Sequence, residues 1–275
     1  MNVLKLAAFS QDGKGGNPAG VAFYDAMPGD DEMLKIAKDI GYSETAFLVK
    51  QNDFWRVRYF APAMEVPFCG HATIALGAAL GERFGEGTYK LILNDSQISV
   101  RAEGRAMSTL QSPETNSEDA PKDYVDKILA SFSLTVDDLN KNFPVRFASA
   151  GAKHLILVLK DRKTLTEMKY PFDEVKALMN KMRLVTISLL WNESDEVFHS
   201  RNAFASGGVY EDPATGAAAA ALAGYLRDIG WKGKNEFTIL QGEDMGAPSR
   251  LLVKYGPKIG ESVSVSGEVR HILDD

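Results

Sequence analysis

Two stretches of small apolar residues, each entered through a glycine-bearing polar turn, constrain the fold of this chain more than any other feature. The first is Glu65-Val66-Pro67-Phe68-Cys69-Gly70-His71-Ala72-Thr73-Ile74-Ala75-Leu76-Gly77-Ala78-Ala79-Leu80. An extended run with a proline ends in Cys-Gly, and the segment after it has too few polar positions for a surface helix, so the pattern predicts a buried helix. Small residues at 72, 75, 77, 78 and 79 let other backbone come close. Gly70 and His71 fall at the helix start, where unpaired amides and the positive end of the dipole form an anion site. The second stretch is Gly207-Gly208-Val209-Tyr210-Glu211-Asp212-Pro213-Ala214-Thr215-Gly216, followed by Ala217 to Leu226. Asp212 before Pro213 predicts an N-cap with proline at the first helical position.

Two helices of the same build point to a duplication. Trp55 to Pro62 and Val197 to Phe204 match at an offset of 143 (201 minus 58), and the helices follow at nearly the same offset. Gly16-Asn17-Pro18-Ala19-Gly20 and Gly151-Ala152-Lys153-His154 each set a glycine turn before an apolar strand. A repeat of about 140 residues is domain-sized. The polar, acidic segment Gln111 to Pro121, bracketed by prolines, predicts a linker. The expected division is a first domain over residues 1–112, a linker over 113–121 and a second domain over 122–264, with a strand at about 265–275 returning to the first.

Between these landmarks, Val3 to Phe9 reads as a strand, and Gly13 to Pro18 as a loop that lacks both glycine patterns of nucleotide-binding turns. Asp30 to Ile40 is an amphipathic helix closed by Gly41. Thr45 to Val49 is a strand with Glu44 at its head. Tyr89 to Val100 and Ala102 to Leu110 alternate as strands. Helices are predicted over Lys122 to Ser131, Thr135 to Asn140 and Phe172 to Met182, a turn and strand over Ala148 to Leu159, and strands over Phe237 to Leu240 and Ser262 to Val269. The strand Leu184 to Leu190 aligns with the Glu44 strand, but no carboxylate stands at the matching place, so the repeat is chemically lopsided.

Composition removes several function classes. A net charge of -6 argues against a nucleic-acid or anionic-membrane surface, so an anionic substrate has to be held by local donors. The amino terminus has no basic leader, and the apolar runs fall short of the roughly 20 residues that span a bilayer, which leads to a cytoplasmic expectation. One cysteine excludes an internal disulfide and a cysteine-based zinc cluster, and four histidines without ligand spacing give no metal site.

Each chemical candidate has a plain alternative. Glu44 is equally read as a solvated loop carboxylate or a cap, since most glutamates are exposed. His71 is equally a buried histidine capping its own helix. Asp212 is accounted for as an N-cap worth about 1 kcal/mol. Cys69 is most simply a small buried packing residue.

Taken in order, Gly16-Asn17-Pro18, Ser43-Glu44-Thr45-Ala46-Phe47, Arg58-Tyr59-Phe60 with Cys69-Gly70-His71-Ala72-Thr73, Glu211-Asp212-Pro213-Ala214-Thr215-Gly216, and Gln241-Gly242 with Met245-Gly246 cover essentially the whole chain. This motif set resembles that of the PhzF-like isomerases, the phenazine-biosynthesis family within the diaminopimelate epimerase superfamily. The resemblance implies an α+β fold of two pseudo-symmetric domains, each a sheet or barrel wrapped around a central helix, with the active site where the two helix starts meet. It implies a cofactor-independent isomerase that shifts a carbon-bound proton and a double bond in a small carboxylic acid, dihydrohydroxyanthranilate being the family's known substrate. Glu44 is then the proton shuttle, with His71 and Asp212 lining the pocket. Asn17, Ser43 and the amides of Gly70, Gly216 and Ala217 are then substrate-binding. A buried carboxyl beside a second carboxylate can take a carbon-bound proton and return it elsewhere on the same molecule.

Departures from the pattern bear on the substrate. Ala217 stands where many members have serine, removing a hydroxyl from the pocket rim. Racemases of the superfamily use two cysteines, and here Pro213 and Ala214 stand where the second thiol would be. Two alternatives remain: an epimerase acting at one carbon, with His71 or Asp212 as second base, and a non-catalytic descendant that binds a metabolite or partner. Members are commonly dimers, so the resemblance also implies a homodimer.

Overall fold

The computed structural model describes residues 3–104 and 106–273. It divides into two compact units, one built from the chain up to Gln111 together with the part from Ser266 onward, the other from Ser112 to Val265.

The first unit runs β1 (Leu4–Ser10), β2 (Asn17–Tyr24), α1 (Asp30–Ile40), β3 (Glu44–Gln51), β4 (Phe54–Phe60), β5 (Glu65–Val66), α2 (Gly70–Phe84), β6 (Gly87–Ile92), β7 (Gln97–Glu103) and β8 (Met107–Gln111). β2 is antiparallel to β1 and parallel to β3, β4 is antiparallel to β3 and parallel to β6, and β6, β7 and β8 form a meander. This sheet wraps α2, which packs against β1, β2, β3, β6, β7 and β8. All residues from Gly70 to Gly81 are buried, as the small-residue run predicts. The close fit depends on glycine: a Cβ on Gly77 would lie 2.1 Å from Ser108 Oγ and 2.5 Å from Val100 Cγ2. α1 buries Met33 and Ala37 and ends at Gly41, whose φ of 73° lets its amide donate to the Ala37 carbonyl.

The second unit runs β9 (Asn116–Asp119), α3 (Lys122–Ser131), β10 (Arg146–Ser149), β11 (Lys153–Leu159), α4 (Arg162–Thr166), α5 (Phe172–Met182), β12 (Thr186–Ser194), β13 (Val197–Ala203), β14 (Glu211–Asp212), α6 (Gly216–Asp228), β15 (Glu236–Gln241) and β16 (Ser249–Tyr255). Its ladder repeats the first: β10 antiparallel to β11, β11 parallel to β12, β12 antiparallel to β13, β13 antiparallel to β14 and parallel to β15, and β15 antiparallel to β16. α6 takes the place of α2 and packs against β9, β10, β11 and β16. A Cβ on Gly224 would meet the Thr115 side chain at 2.5 Å, so this helix too uses glycine for a close approach. The helices α3 and α5 cover the outer face through Tyr124, Ile128, Leu129, Val175 and Met179.

The last strand, β17 (Val263–His271), carries the chain from the second unit into the first. There it runs antiparallel to β1, from Leu6 opposite His271 to Ser10 opposite Glu268. On its other side the Val269 amide donates to the Ala106 carbonyl, and Ser266 Oγ lies 2.7 Å from Thr109 Oγ1 of β8. The first sheet therefore returns on itself around α2, an α+β arrangement with its core on a helix axis. No helix among the described residues is long and apolar enough to cross a membrane.

Several sequence expectations are corrected. Asp212 does not cap α6 and Pro213 is not its first residue, because the helix starts at Gly216 after Thr215. Glu211 and Asp212 pair instead with Ala203 and Asn202, which draws this dipeptide onto the sheet edge. The expected helix from Thr135 to Asn140 is one 3-10 turn, Val136–Asp138, closed by a reciprocal Thr135–Asp138 capping box. The segment expected as linker contains β9, paired with β10 from Asn116 to Asp119. The strand expected from Tyr89 to Val100 is broken by a turn in which the Leu93 amide donates to the Ser96 carbonyl.

Candidate active site

In the first unit, the local chain sets Glu44 at the mouth of the sheet. Gly41 stops α1, and Glu44 opens β3 opposite Ala19 of β2. Its side chain is 14% exposed, which is not the solvated loop carboxylate of the plain reading. On the adjacent strand, Arg58 grips Glu65 through Nε–Oε1 at 2.8 Å and Nη2–Oε2 at 2.5 Å, with Asp30 on its third nitrogen at 2.6 Å. That fork fixes β5 against β4 just before the chain turns into α2.

At that turn the predicted residues converge. His71 Nε2 lies 3.4 Å from Glu44 Oε2 and 3.3 Å from Ser43 Oγ, and Cys69 Sγ lies 3.3 Å from His71 Nδ1. Glu44 Oε2 is buried and accepts no hydrogen bond. Gly70 and His71 form the first turn of α2, whose leading amides have no partner within the helix. Below them, Thr73 Oγ1 donates to the Cys69 carbonyl at 2.7 Å and shares a 2.6 Å bond with Tyr59 Oη, which burial pushes far above its ordinary range. Asn17, at the start of β2, is buried opposite Ala8. A carboxylate with an unoccupied buried oxygen, an imidazole, a hydroxyl and a thiol can hold, give and take a proton at the positive end of a helix.

In the second unit, Arg201 grips Glu211 through Nε at 3.0 Å and Nη2 at 2.5 Å, repeating the fork at the corresponding place. Burial pulls the Arg201 guanidinium down, but its hydrogen bonds and charge pairing with Glu211 leave it raised overall. The Asp212 carboxylate accepts from the Thr215 hydroxyl. Gln241 holds the turn from inside: Nε2 donates to the Asp212 carbonyl at 2.7 Å and to Thr215 Oγ1 at 3.0 Å, while Oε1 accepts from the Thr215 amide. Gly242 is needed beside it, since a Cβ there would sit 2.2 Å from the Ala247 carbonyl oxygen and 2.8 Å from that of Pro213. Gly216 is buried and Ala217 half-buried at the first turn of α6.

The position equivalent to Glu44 is Thr186. Glu44 faces Ala19 as Thr186 faces His154, and the next residues, Thr45 and Ile187, face Phe60 and Ala203. Sequence reading found the missing carboxylate but missed the two arginine–glutamate forks. The offset of 146 between Glu65 and Glu211 (211 minus 65), equal to that between the helix starts (216 minus 70), carries that signal.

Comparison with known proteins agrees with these motifs. The chain is 30% identical over 279 residues to Uncharacterized isomerase YfhB of Bacillus subtilis (strain 168), covering 96% of this chain and 94% of that one. A Bacillus anthracis phenazine biosynthesis protein of the PhzF family superposes with a TM-score of 0.86 at 23% identity, over 98% of this chain and 96% of that one. A protein described as a predicted epimerase from Pseudomonas aeruginosa gives 0.84 at 24% identity, over 98% and 96%. The family model described as phenazine biosynthesis-like protein matches residues 6–272, and with that coverage the chain belongs to this family.

Proposed function

We propose that this protein is an isomerase that moves a carbon-bound proton, and with it a double bond, in a small carboxylic acid, with Glu44 as the acid and base. The observation that carries the reading is the buried Glu44 oxygen that accepts no hydrogen bond, 3.4 Å from His71 at the start of a buried helix. A carboxylate oxygen that accepts no hydrogen bond can accept a proton from carbon and return it at another carbon of the same bound molecule. His71, itself bonded to the Ser43 hydroxyl, orients it, and the leading amides of α2 hold the substrate carboxylate or a developing enolate. In the second unit Asp212 is fixed by Thr215 and Gln241, and the chemistry at Glu44 calls on no cofactor. The descriptions of the similar proteins, an isomerase and an epimerase, support this class of chemistry.

The test is proton NMR of the purified protein with dihydrohydroxyanthranilate in deuterated water. Double-bond migration with deuterium entering the product is expected from the wild type. Glu44→Gln lowers the rate by about 10²–10⁴-fold, the usual worth of a general acid–base group. Unchanged turnover in Glu44→Gln sinks the assignment. Epimerisation is the second reading, favoured by the Cys69 thiol 3.3 Å from His71 as a further proton-carrying group. It predicts deuterium at a single inverted carbon with no double-bond shift.

A further inference from the structure

We propose that the second unit binds one internal water molecule between α6 and its sheet. This water ties Gln241, and with it the turn that carries Asp212, to a buried polar network on β12 and β13. The site belongs to that unit alone and does not depend on the reaction assigned to Glu44. The polar lining of a cavity of about 10 Å3 is Ser188, Ser200, Asn202 and Gln241, and Ala218 and Ala219 of α6 border it. None of the six is more than 5% exposed, so the cavity is internal. Its volume is about the least that holds one water. Sheet register gathers the polar side chains: Ser188 faces Asn202 across β12 and β13, and Ser200 pairs with Gln241 of β15.

The hydrogen bonds of this lining leave donors and acceptors in balance. His154 Nδ1 lies 2.8 Å from Thr186 Oγ1, which donates to Asn202 Oδ1 at 3.1 Å, and Ser188 Oγ donates to the same oxygen at 2.5 Å. Asn202 Nδ2 donates to Ser200 Oγ at 3.3 Å. The Ser200 hydroxyl hydrogen and the second hydrogen of Asn202 Nδ2 then have no acceptor among the described residues. On the other side, Ser188 Oγ keeps its lone pairs, and Gln241 Oε1, which takes only the Thr215 amide, keeps one. Two donors and two acceptors are the complement of water, whereas a cation asks for acceptors alone and an anion for donors alone. Buried polar groups without partners are costly, so a molecule that satisfies all four is held firmly.

The first unit fills the same place with side chains. Register makes Ala46 the counterpart of Ser188, Tyr59 that of Asn202 and Val57 that of Ser200. The offset of 146 makes Thr73 the counterpart of Ala219 (219 minus 73). There the buried Tyr59 hydroxyl lies 2.6 Å from Thr73 Oγ1. Asparagine and alanine in their stead withdraw volume and add polar edges, and one water restores both.

A crystal map of the wild-type full-length protein decides the site without any variant. One density peak within hydrogen-bond reach of Ser200, Asn202 and Gln241 is expected, and its absence overturns the site. In solution, oxygen-17 relaxation dispersion counts long-lived internal waters. Ala219→Thr and Ser200→Val, which copy Thr73 and Val57 of the first unit, should each lower that count by one; a count unchanged in a folded variant overturns the site. Hydrogen exchange of the Thr215 amide, which donates to Gln241 Oε1, reads the tie to the turn. In Ser200→Val it should quicken about two- to tenfold, what one net hydrogen bond is worth. In Ala219→Thr, whose hydroxyl takes the place of the water, it should stay close to the wild-type rate. Loss of the water from Ser200→Val with Thr215 exchange unchanged overturns the tie.

Discussion

His154 of β11 has no solvent exposure, its Nδ1 lies 2.8 Å from Thr186 Oγ1, and burial pushes its imidazole down to about 3 from its ordinary 6.5. The unfolded chain therefore takes up a proton below about 6.5 that the folded chain refuses until about 3. Stability from keeping His154 neutral is complete above that window and is lost as pH falls through it, by about 1.4 kcal/mol per pH unit. Urea unfolding at pH 7 and pH 5 should show a clearly smaller loss for His154→Gln than for the wild type; equal losses would contradict the assignment. This pair also shows why the repeat is lopsided at its chemical position. Where the first unit sets Ala19 against Glu44, the second sets His154 against Thr186 and fills the place with a hydrogen bond between them, Thr186 also donating to Asn202 Oδ1. Glu44 was legible in sequence as a carboxylate between a helix stop and a strand. Its burial and its proximity to His71 were not, because they depend on α2 arriving from 26 residues later (70 minus 44).

The central helices and the turns before them are the elements that matter to the site, and each turn is anchored by an arginine–glutamate fork. The two forks differ in burial: the side chains of Arg201 and Glu211 are 9% and 4% exposed, those of Arg58 and Glu65 17% and 24%. Removing one partner of a buried pair strands the other charge, so Arg201→Gln should cost about 3–5 kcal/mol. Arg58→Gln, nearer solvent, should cost about 1 kcal/mol. Urea midpoints of the two variants check this, and an equal loss would mean that burial does not set the difference. At this scale the sequence was informative where periodicity or glycine punctuation is strong: α1, α3 and α5 have their expected ends. It misled at Asp212-Pro213, where pairing to β13 outweighed a good capping signal.

For the whole molecule, the continuity of β17 is the decisive connection. Its portion from Ser266 onward lies between β1 and β8, so ending the chain at Val265 exposes the facing edges of both strands. Unpaired edges invite intermolecular pairing. The truncated protein should melt lower and aggregate, as read by thermal unfolding with light scattering, whereas a melting curve like that of the full chain would show that the first sheet does not need this strand.

The sequence by itself determined the duplication, the two buried helices and the candidate residues. All of these are written in local patterns: offsets, small-residue runs and glycine turns. Tertiary structure alone decided which strands close the first sheet, that Asp212 belongs to an edge pairing instead of a cap, and that Glu44, Cys69 and His71 share one small volume. The physical reason is that such contacts are fixed by sheet register and by burial against segments distant in the chain, which no window of neighbouring residues contains.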